Sequence, residues 1–263
     1  PDQFAKGETT WPIVSAMAAP IAEGHLTPAA LDAGGMARIR DAFATGAKRA
    51  HAAGFEAVEV HCAHGYLLHQ VLSPLSNTRN DGFGGDLAGR MRFPLEVIRA
   101  VREAWPQDRP VFVRISAVDG ADGGWTMEDS VAFAQAMRPL GVDVVDCSSG
   151  GIGGSATGSK RIPRGYGFQI PYAAQIRRDV GLATMAVGLI IGPHQAEAVL
   201  AEGEADLVAI GREAMANPNW ALMARGVLEP GSTEDVFTPW PPQHGWWLEK
   251  RAAVMDALGA PPA

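Results

Sequence analysis

Three side chains able to hydrogen-bond or exchange a proton, His61, His64 and Tyr66, fall within a six-residue stretch. They follow a short apolar run, Ala57 to Val60, too brief and too β-branched to be a helix of its own. A strand ending in such a cluster is where a barrel enzyme places its chemistry. Two imidazole N–H groups converging on one point can polarise a carbonyl or nitro oxygen, as an oxyanion hole does, and make the β-carbon of a conjugated alkene electrophilic. A nearby phenol can then deliver a proton to the α-carbon, a step worth about 10²–10⁴ in rate. The plainer reading of Tyr66 is a buried ring whose hydroxyl is tied to the backbone. His-x-x-His also has the spacing of two metal ligands, but no acidic or third ligand stands at a recognised distance along the chain, so no metal is expected. His69 reads as a packing or surface residue. Cys62, between the two histidines, reads as a small buried hydrophobe in preference to a reactive thiol.

The elements that must position this cluster alternate along the chain. Ser73 to Gly85, SPLSNTRNDGFGG, carries the proline, asparagines and glycines of a loop with special backbone angles. Before the cluster, residues 1 to about 36 read as an extended loop, with Thr27-Pro28 resembling a helix start. A helix is expected from Ala37 to Ala53 and another from Arg90 to Trp105, with Phe93, Val97 and Val101 on one face. Strands are expected at 57–60, 111–115, 143–147, 183–187 and 206–210. Helices from Met127 to Leu140, Ile170 to Arg178 and His194 to Glu202 separate them, and one after Gly211 closes near Arg225. Gly54, Gly141 and Gly203 each join a helix end to a strand, a weak internal repeat. Such alternation means βα units and a parallel sheet.

The composition excludes several classes of partner. The 263 residues suit one barrel-sized domain, 47% are hydrophobic, and the formal net charge is −7. An acidic balance argues against nucleic acid or an anionic membrane as main partner. Two cysteines make no disulfide framework, which favours a reducing, cytoplasmic setting. No apolar run approaches a membrane span and no signal peptide is visible. The chain opens on Pro1 with no methionine, as expected of a processed chain or a piece of a longer one.

HCAHGYLLHQVLSPLSNTRNDGFGG, followed by Arg90, Arg92 and Phe93, resembles the signature of the old yellow enzyme family, in its bacterial xenobiotic-reductase-like His-x-x-His branch. The resemblance implies a TIM (β/α)8 barrel, FMN as cofactor, NAD(P)H as reductant and a small activated alkene as substrate. It assigns His61 and His64 to the substrate's activating oxygen and Tyr66 to proton donation. Arg114, which ends the second expected strand, is assigned to the N1–C2=O side of the flavin. Gly188, Gly211 and Arg212, at the ends of the last two strands, suit the flavin phosphate, since glycine lets backbone N–H groups approach an anion and Arg212 adds a bidentate charge. Ser148 to Gly151, opening the glycine-rich stretch SSGGIGGSATGS, either supports that region or is a structural turn.

The tail PWPPQHGWWLEK resembles one that reaches into a neighbouring subunit's active site, which implies a homo-oligomer with Trp247 as substrate contact; otherwise it staples the C-terminus to its own barrel. Phe83-Gly84-Gly85-Asp86 and His244 depart from the family pattern. The five expected units resemble strands 4–8 of the barrel, so the whole of residues 1–263 reads as one FMN-binding domain lacking its N-terminal strands. Two further readings stand beside the ene-reductase: a catalytically incomplete barrel acting as a binding or structural piece, and a metal-dependent barrel hydrolase.

Overall fold

A computed structural model of the chain describes residues 6–9, 11–21, 23–152, 162–229, 231 and 236–259. The glycine-rich stretch from residue 153 onward to 161 lies outside these.

Strands β3 (Val58–Cys62), β4 (Val111–Ser116), β5 (Val144–Ser148), β6 (Ala183–Val187) and β7 (Leu207–Ala209) form one parallel sheet in chain order. Parallel neighbours need a crossover, and the connecting helices α3 (Leu87–Ala104), α4 (Met127–Met137), α5 (Ile170–Val180) and α6 (Pro193–Ala201) supply it. A sheet that never reverses its strand order, with helices between successive strands, is the pattern of a (β/α)8 barrel, of which this sheet forms a five-stranded arc.

Register decides which side chains share a face. His61 pairs with Arg114 and Arg114 with Asp146, so these three stand in one row, on the concave face. One residue on, Cys62, Ile115, Cys147 and Ala186 form the next row and point to the helices. That outer row is fully buried, and against it pack Phe93, Val97 and Ile98 of α3, Phe133 and Met137 of α4, and Ile176 of α5.

Local chemistry sets the ends of the helices. Asp32 caps α1 (Ala33–Ala52) by accepting from the Gly35 N–H at 2.7 Å. Thr126 and Asp129 form a reciprocal capping box on α4. Gly141 and Gly181 end their helices in the left-handed conformation, which costs glycine nothing.

The structure corrects several expectations. Thr27-Pro28 starts no helix: Ala29–Ala30 (β2) pairs with Val14–Ser15 (β1), and the helix waits for the Asp32 cap. The first strand of the sheet runs on through His61 and Cys62, because Arg114 and Ile115 offer them ladder partners. Between the polar cluster and the expected loop, where no element was expected, Leu67–Leu72 forms the short helix α2, burying Leu68, Val71 and Leu72 at helical spacing. The helix after Gly211 is broken into α7 (Arg212–Ala216) and α8 (Trp220–Leu228) around Pro218, which has no N–H to continue it. The tail forms the helix α9, Pro242–Leu258.

Phe93 is fully buried and meets the Phe83 ring edge-on at a centroid distance of 6.4 Å. Phe93→Ala is expected to cost about 3–5 kcal/mol, read as a lowered urea midpoint with an unchanged slope.

Candidate active site

At the C-terminal end of β3 the chain makes a turn that few sequences could make. His64 (φ 58°) and Gly65 (φ 74°) are consecutive left-handed residues. A Cβ built on Gly65 would stand 2.3 Å from the Gly151 carbonyl oxygen, and one on Gly151 would stand 2.3 Å from the His64 Cα. Only glycine fits at either place. The turn therefore lies directly against the loop leaving β5. His64 N–H donates to Ser116 Oγ at 3.0 Å, and that hydroxyl donates to the Gly150 carbonyl at 2.7 Å.

These contacts bring the expected cluster together. The His61 ring centroid is 5.2 Å from that of His64 and 5.4 Å from that of Tyr66. Tyr66 precedes α2 and is 65% exposed, so the plainer reading of a buried phenol fails. His64 Nε2 lies 2.6 Å from Ser148 Oγ. When that hydroxyl donates to Nε2, the ring carries its hydrogen on Nδ1 as a donor.

Beside the turn is a cleft of about 570 Å³, within the size range of small-molecule and cofactor sites. His64, Tyr66, Arg114, Gly188 and Arg212 line it, together with Ser148, Ser149, Arg164, Phe168 and Gln169. Among the described residues that line it, three are arginines and none is acidic, in a chain whose formal net charge is −7. Gly211 precedes Arg212, and a Cβ there would meet nothing within 4 Å. α7 has only five residues, so an anion at this point would meet the Arg212 charge more than a helix dipole. Trp247 sits apart on α9, 66% exposed and packed edge-on against Trp246, and does not line the cleft.

Electrostatics fix the protonation of the cluster. Burial and the Arg114 charge lower the His61 pKa from its ordinary value. The same causes, with the neighbouring imidazoles, bring His64 down to about 4. Both rings are neutral at pH 7, each with one donor and one acceptor. Burial pushes Asp146 up to about 7, against the pull of Arg114 and with the Glu59 carboxyl adding to the rise. Arg114 Nε stands 3.1 Å from Asp146 Oδ2 as an ion pair, and among the described residues Asp146 Oδ1 has no hydrogen-bond partner. Burial also raises both cysteine thiols, which stay protonated, as the hydrophobe reading of Cys62 requires. Among the described residues no group of His, Cys, Asp or Glu is arranged to hold a metal ion.

Sequence reasoning missed Gln169. Its Oε1 accepts from Ser149 Oγ at 2.6 Å and its Nε2 donates to the Val187 carbonyl at 3.1 Å, bridging the ends of β5 and β6. Gly188 (φ 119°) leaves it room, since a Cβ there would stand 2.9 Å from Gln169 Nε2. Its only sequence signal was a place just before Ile170-Pro171, which marks a helix start and nothing chemical.

The profile of the NADH:flavin oxidoreductase / NADH oxidase family matches residues 4–229. The chain belongs to this family. It is 46% identical over 219 residues to an NADPH dehydrogenase of Geobacillus thermodenitrificans (strain NG80-2), covering 83% of this chain and 62% of that protein. An NADPH dehydrogenase of Geobacillus sp. (strain WCH70) is 42% identical over 241 residues, 92% of this chain and 68% of that one. Morphinone reductase in complex with tetrahydroNAD superposes with a TM-score of 0.65 at 28% identity, over 82% of this chain and 60% of that one. A 2-naphthoyl-CoA reductase complex shares the fold at a TM-score of 0.73 and 24% identity, over 86% of this chain and 34% of that chain. The chain thus spans about three fifths of the length of several of its family relatives. The expected arc of a TIM barrel agrees with these structural relatives. No helix among the described residues is long and apolar enough to cross a membrane.

The depressed His64 value has a consequence for stability. Between pH 6.5 and about 4 the unfolded chain binds a proton that folded His64 refuses, so its contribution is present above pH 6.5 and is lost as pH falls. Wild type is expected to lose about 1 kcal/mol relative to His64→Asn across that window, after discounting for the ring's partial exposure. Paired thermal melts at several pH values check it, and the difference cancels the opposite trend from Asp146.

Proposed function

We propose that the chain carries the catalytic half of an FMN-dependent NAD(P)H oxidoreductase that reduces activated C=C bonds of α,β-unsaturated carbonyl or nitro compounds. The observation that carries this reading is the meeting of His61, His64 and Tyr66 beside a cleft lined by Arg114 and Arg212. The residues present fit an anionic, aromatic cofactor in part. Arg114 and Arg212 both line the cleft, and Gly211, next to Arg212, opens onto free space. Arg212, with Gly188 and Gly211, would hold the phosphate, and Arg114 would face the N1–C2=O side of the ring. Bound FMN would supply two-electron hydride chemistry, taken from NAD(P)H and given to the alkene's β-carbon.

The chain's own residues supply the rest. Neutral His61 and His64 donate N–H groups to the carbonyl or nitro oxygen, stabilising the negative charge that grows there without holding a counter-charge beforehand. Tyr66 gives its proton to the α-carbon and is exposed enough to regain one from water. Reductant and alkene would use the same cleft in turn, which implies ping-pong kinetics. A homo-oligomer with Trp247 at a neighbour's site remains part of this reading, supported by the exposed Trp246–Trp247 pair on α9.

The other reading, an incomplete barrel that binds without catalysing, is favoured by one observation. Among the described residues, β3 and β7 each have a strand neighbour on one side only, which leaves the row beginning at His61 open along an edge. A visible absorption spectrum before and after anaerobic NADPH separates the two. A flavin band that bleaches, then returns with 2-cyclohexenone, supports the oxidoreductase; a chain that takes up no added FMN supports the binding piece. In the loaded protein, Tyr66→Phe is expected to slow reoxidation by the enone by about 10²-fold or more and leave reduction by NADPH within about twofold. Equal losses in both steps would remove Tyr66 from the role of proton donor.

A further inference from the structure

The turn bearing His64 and Tyr66 has a support that the proposed chemistry does not use. His69 and Asp119 are 1% and 2% exposed, with His69 Nε2 at 2.9 Å from Asp119 Oδ1. On its other side, His69 Nδ1 accepts from the Gly65 backbone N–H at 2.9 Å. Asp119 also accepts from Ser73 Oγ at 2.6 Å and from the Trp125 N–H at 2.7 Å. A backbone N–H can only donate, so Nδ1 must be the bare nitrogen. The ring's hydrogen then sits on Nε2, facing the carboxylate. Burial favours a neutral Asp119, but the donors from His69, Ser73 and Trp125 outweigh it and keep the group charged.

The next peptide unit, between Gly65 and Tyr66, is also fixed, since Gln70 Nε2 donates to the Gly65 carbonyl at 2.6 Å. Gln70 is itself held by Ser15 Oγ, at 2.6 Å from its Oε1. A non-glycine residue in the left-handed region, such as His64, persists only where its surroundings over-determine it. So many bonds converging on one short turn exceed what filling a core would need.

We propose that His69, held by Asp119 as its Nε2–H tautomer, is a positioning residue that fixes the Gly65 peptide and, through it, the placement of the His64 imidazole and the Tyr66 phenol beside the cleft. The chemistry thereby positioned is that of the proposed function, on which this inference rests. Neither His69 nor Asp119 lines the cleft. If the pair were only a filled and satisfied piece of core, its loss would loosen the fold evenly.

Three variants separate the two roles. His69→Gln keeps an amide N–H for Asp119 but offers no acceptor where Nδ1 stands, whereas His69→Asn puts a carbonyl oxygen there. Asp119→Asn removes the carboxylate that selects the tautomer. In the 15N-labelled chain, long-range imidazole correlations are expected to show His69 as Nε2–H; a Nδ1–H form would overturn the proposal. Amide exchange at Gly65 and Tyr66 is expected to accelerate about tenfold in His69→Gln and Asp119→Asn, to stay near wild type in His69→Asn, and to leave the amides of β4 and β5 unchanged. Acceleration everywhere, or nowhere, would overturn it.

With FMN loaded, His69→Gln is expected to raise KM for 2-cyclohexenone about tenfold while NADPH reduces the flavin at the wild-type rate. Equal losses in both steps would overturn the role in the alkene step. A chain that shows the exchange pattern but takes up no flavin would overturn the proposed function and leave the positioning device standing.

Discussion

Two backbones approach so closely at the mouth of this sheet that neither can carry a side chain. The contact between Gly65 and Gly151 joins the turn after β3 to the loop after β5, two segments more than eighty residues apart along the chain. Everything proposed for the site depends on it. His64 reaches Ser148 only because its own turn is pressed onto that loop, and Ser116 bridges them from the intervening strand. An alanine at either glycine would force the loops apart by more than an ångström and separate the imidazoles from the arginine-lined cleft.

Electrostatics and packing act together at this site. Arg114 stands in the same sheet row as His61 and near His64, and its charge is one reason both imidazoles are neutral. The cation proposed to face the flavin ring would thus also prepare the histidines for their proposed role as uncharged donors. Asp146 holds this cation from the neighbouring strand, is itself buried, and is not among the described residues that line the cleft. A catalytic carboxylate at the mouth would have cancelled the field on which the proposed oxygen binding depends.

The sheet was legible in the sequence because its strands are short β-branched runs bounded by glycine, and β6 falls where 183–187 was expected. The His61, His64 and Tyr66 cluster was legible because its spacing is local. What failed depends on distant partners or on competition between local signals. Thr27-Pro28 had the look of a helix start, but the Asp32 side chain won the cap. Leu67–Leu72 hid within a glycine- and proline-rich context because six residues are too few to show a period. Gln169 and the His69–Asp119 pair were invisible as chemistry, because their meaning lies in bonds to Ser149, Val187 and Gly65, which no spacing along the chain reveals. The Trp246–Trp247 pair was legible as a hydrophobic feature, yet nothing in its residues showed the seventeen-residue helix that carries it.

The two faces of the sheet divide apolar packing from the polar groups of the proposed site. On the outer face, Cys62, Ile115, Cys147 and Ala186 are almost wholly buried and take the packing of α3, α4 and α5. On the concave face, the adjacent row holds His61, Arg114 and Asp146, polar groups that contribute nothing to an apolar core. A sheet buried by one face only can accept desolvated charge on the other without losing the contacts that hold it together. This follows from the two-residue period of a strand: moving a side chain one position along exchanges a core site for one in the polar row. In β3 the change occurs within a single step, Cys62 packing outward while His61 stands in the row with Arg114. Substitutions in the outer row should therefore act through folding, and those in the inner row through chemistry, even where the two residues are neighbours in the chain.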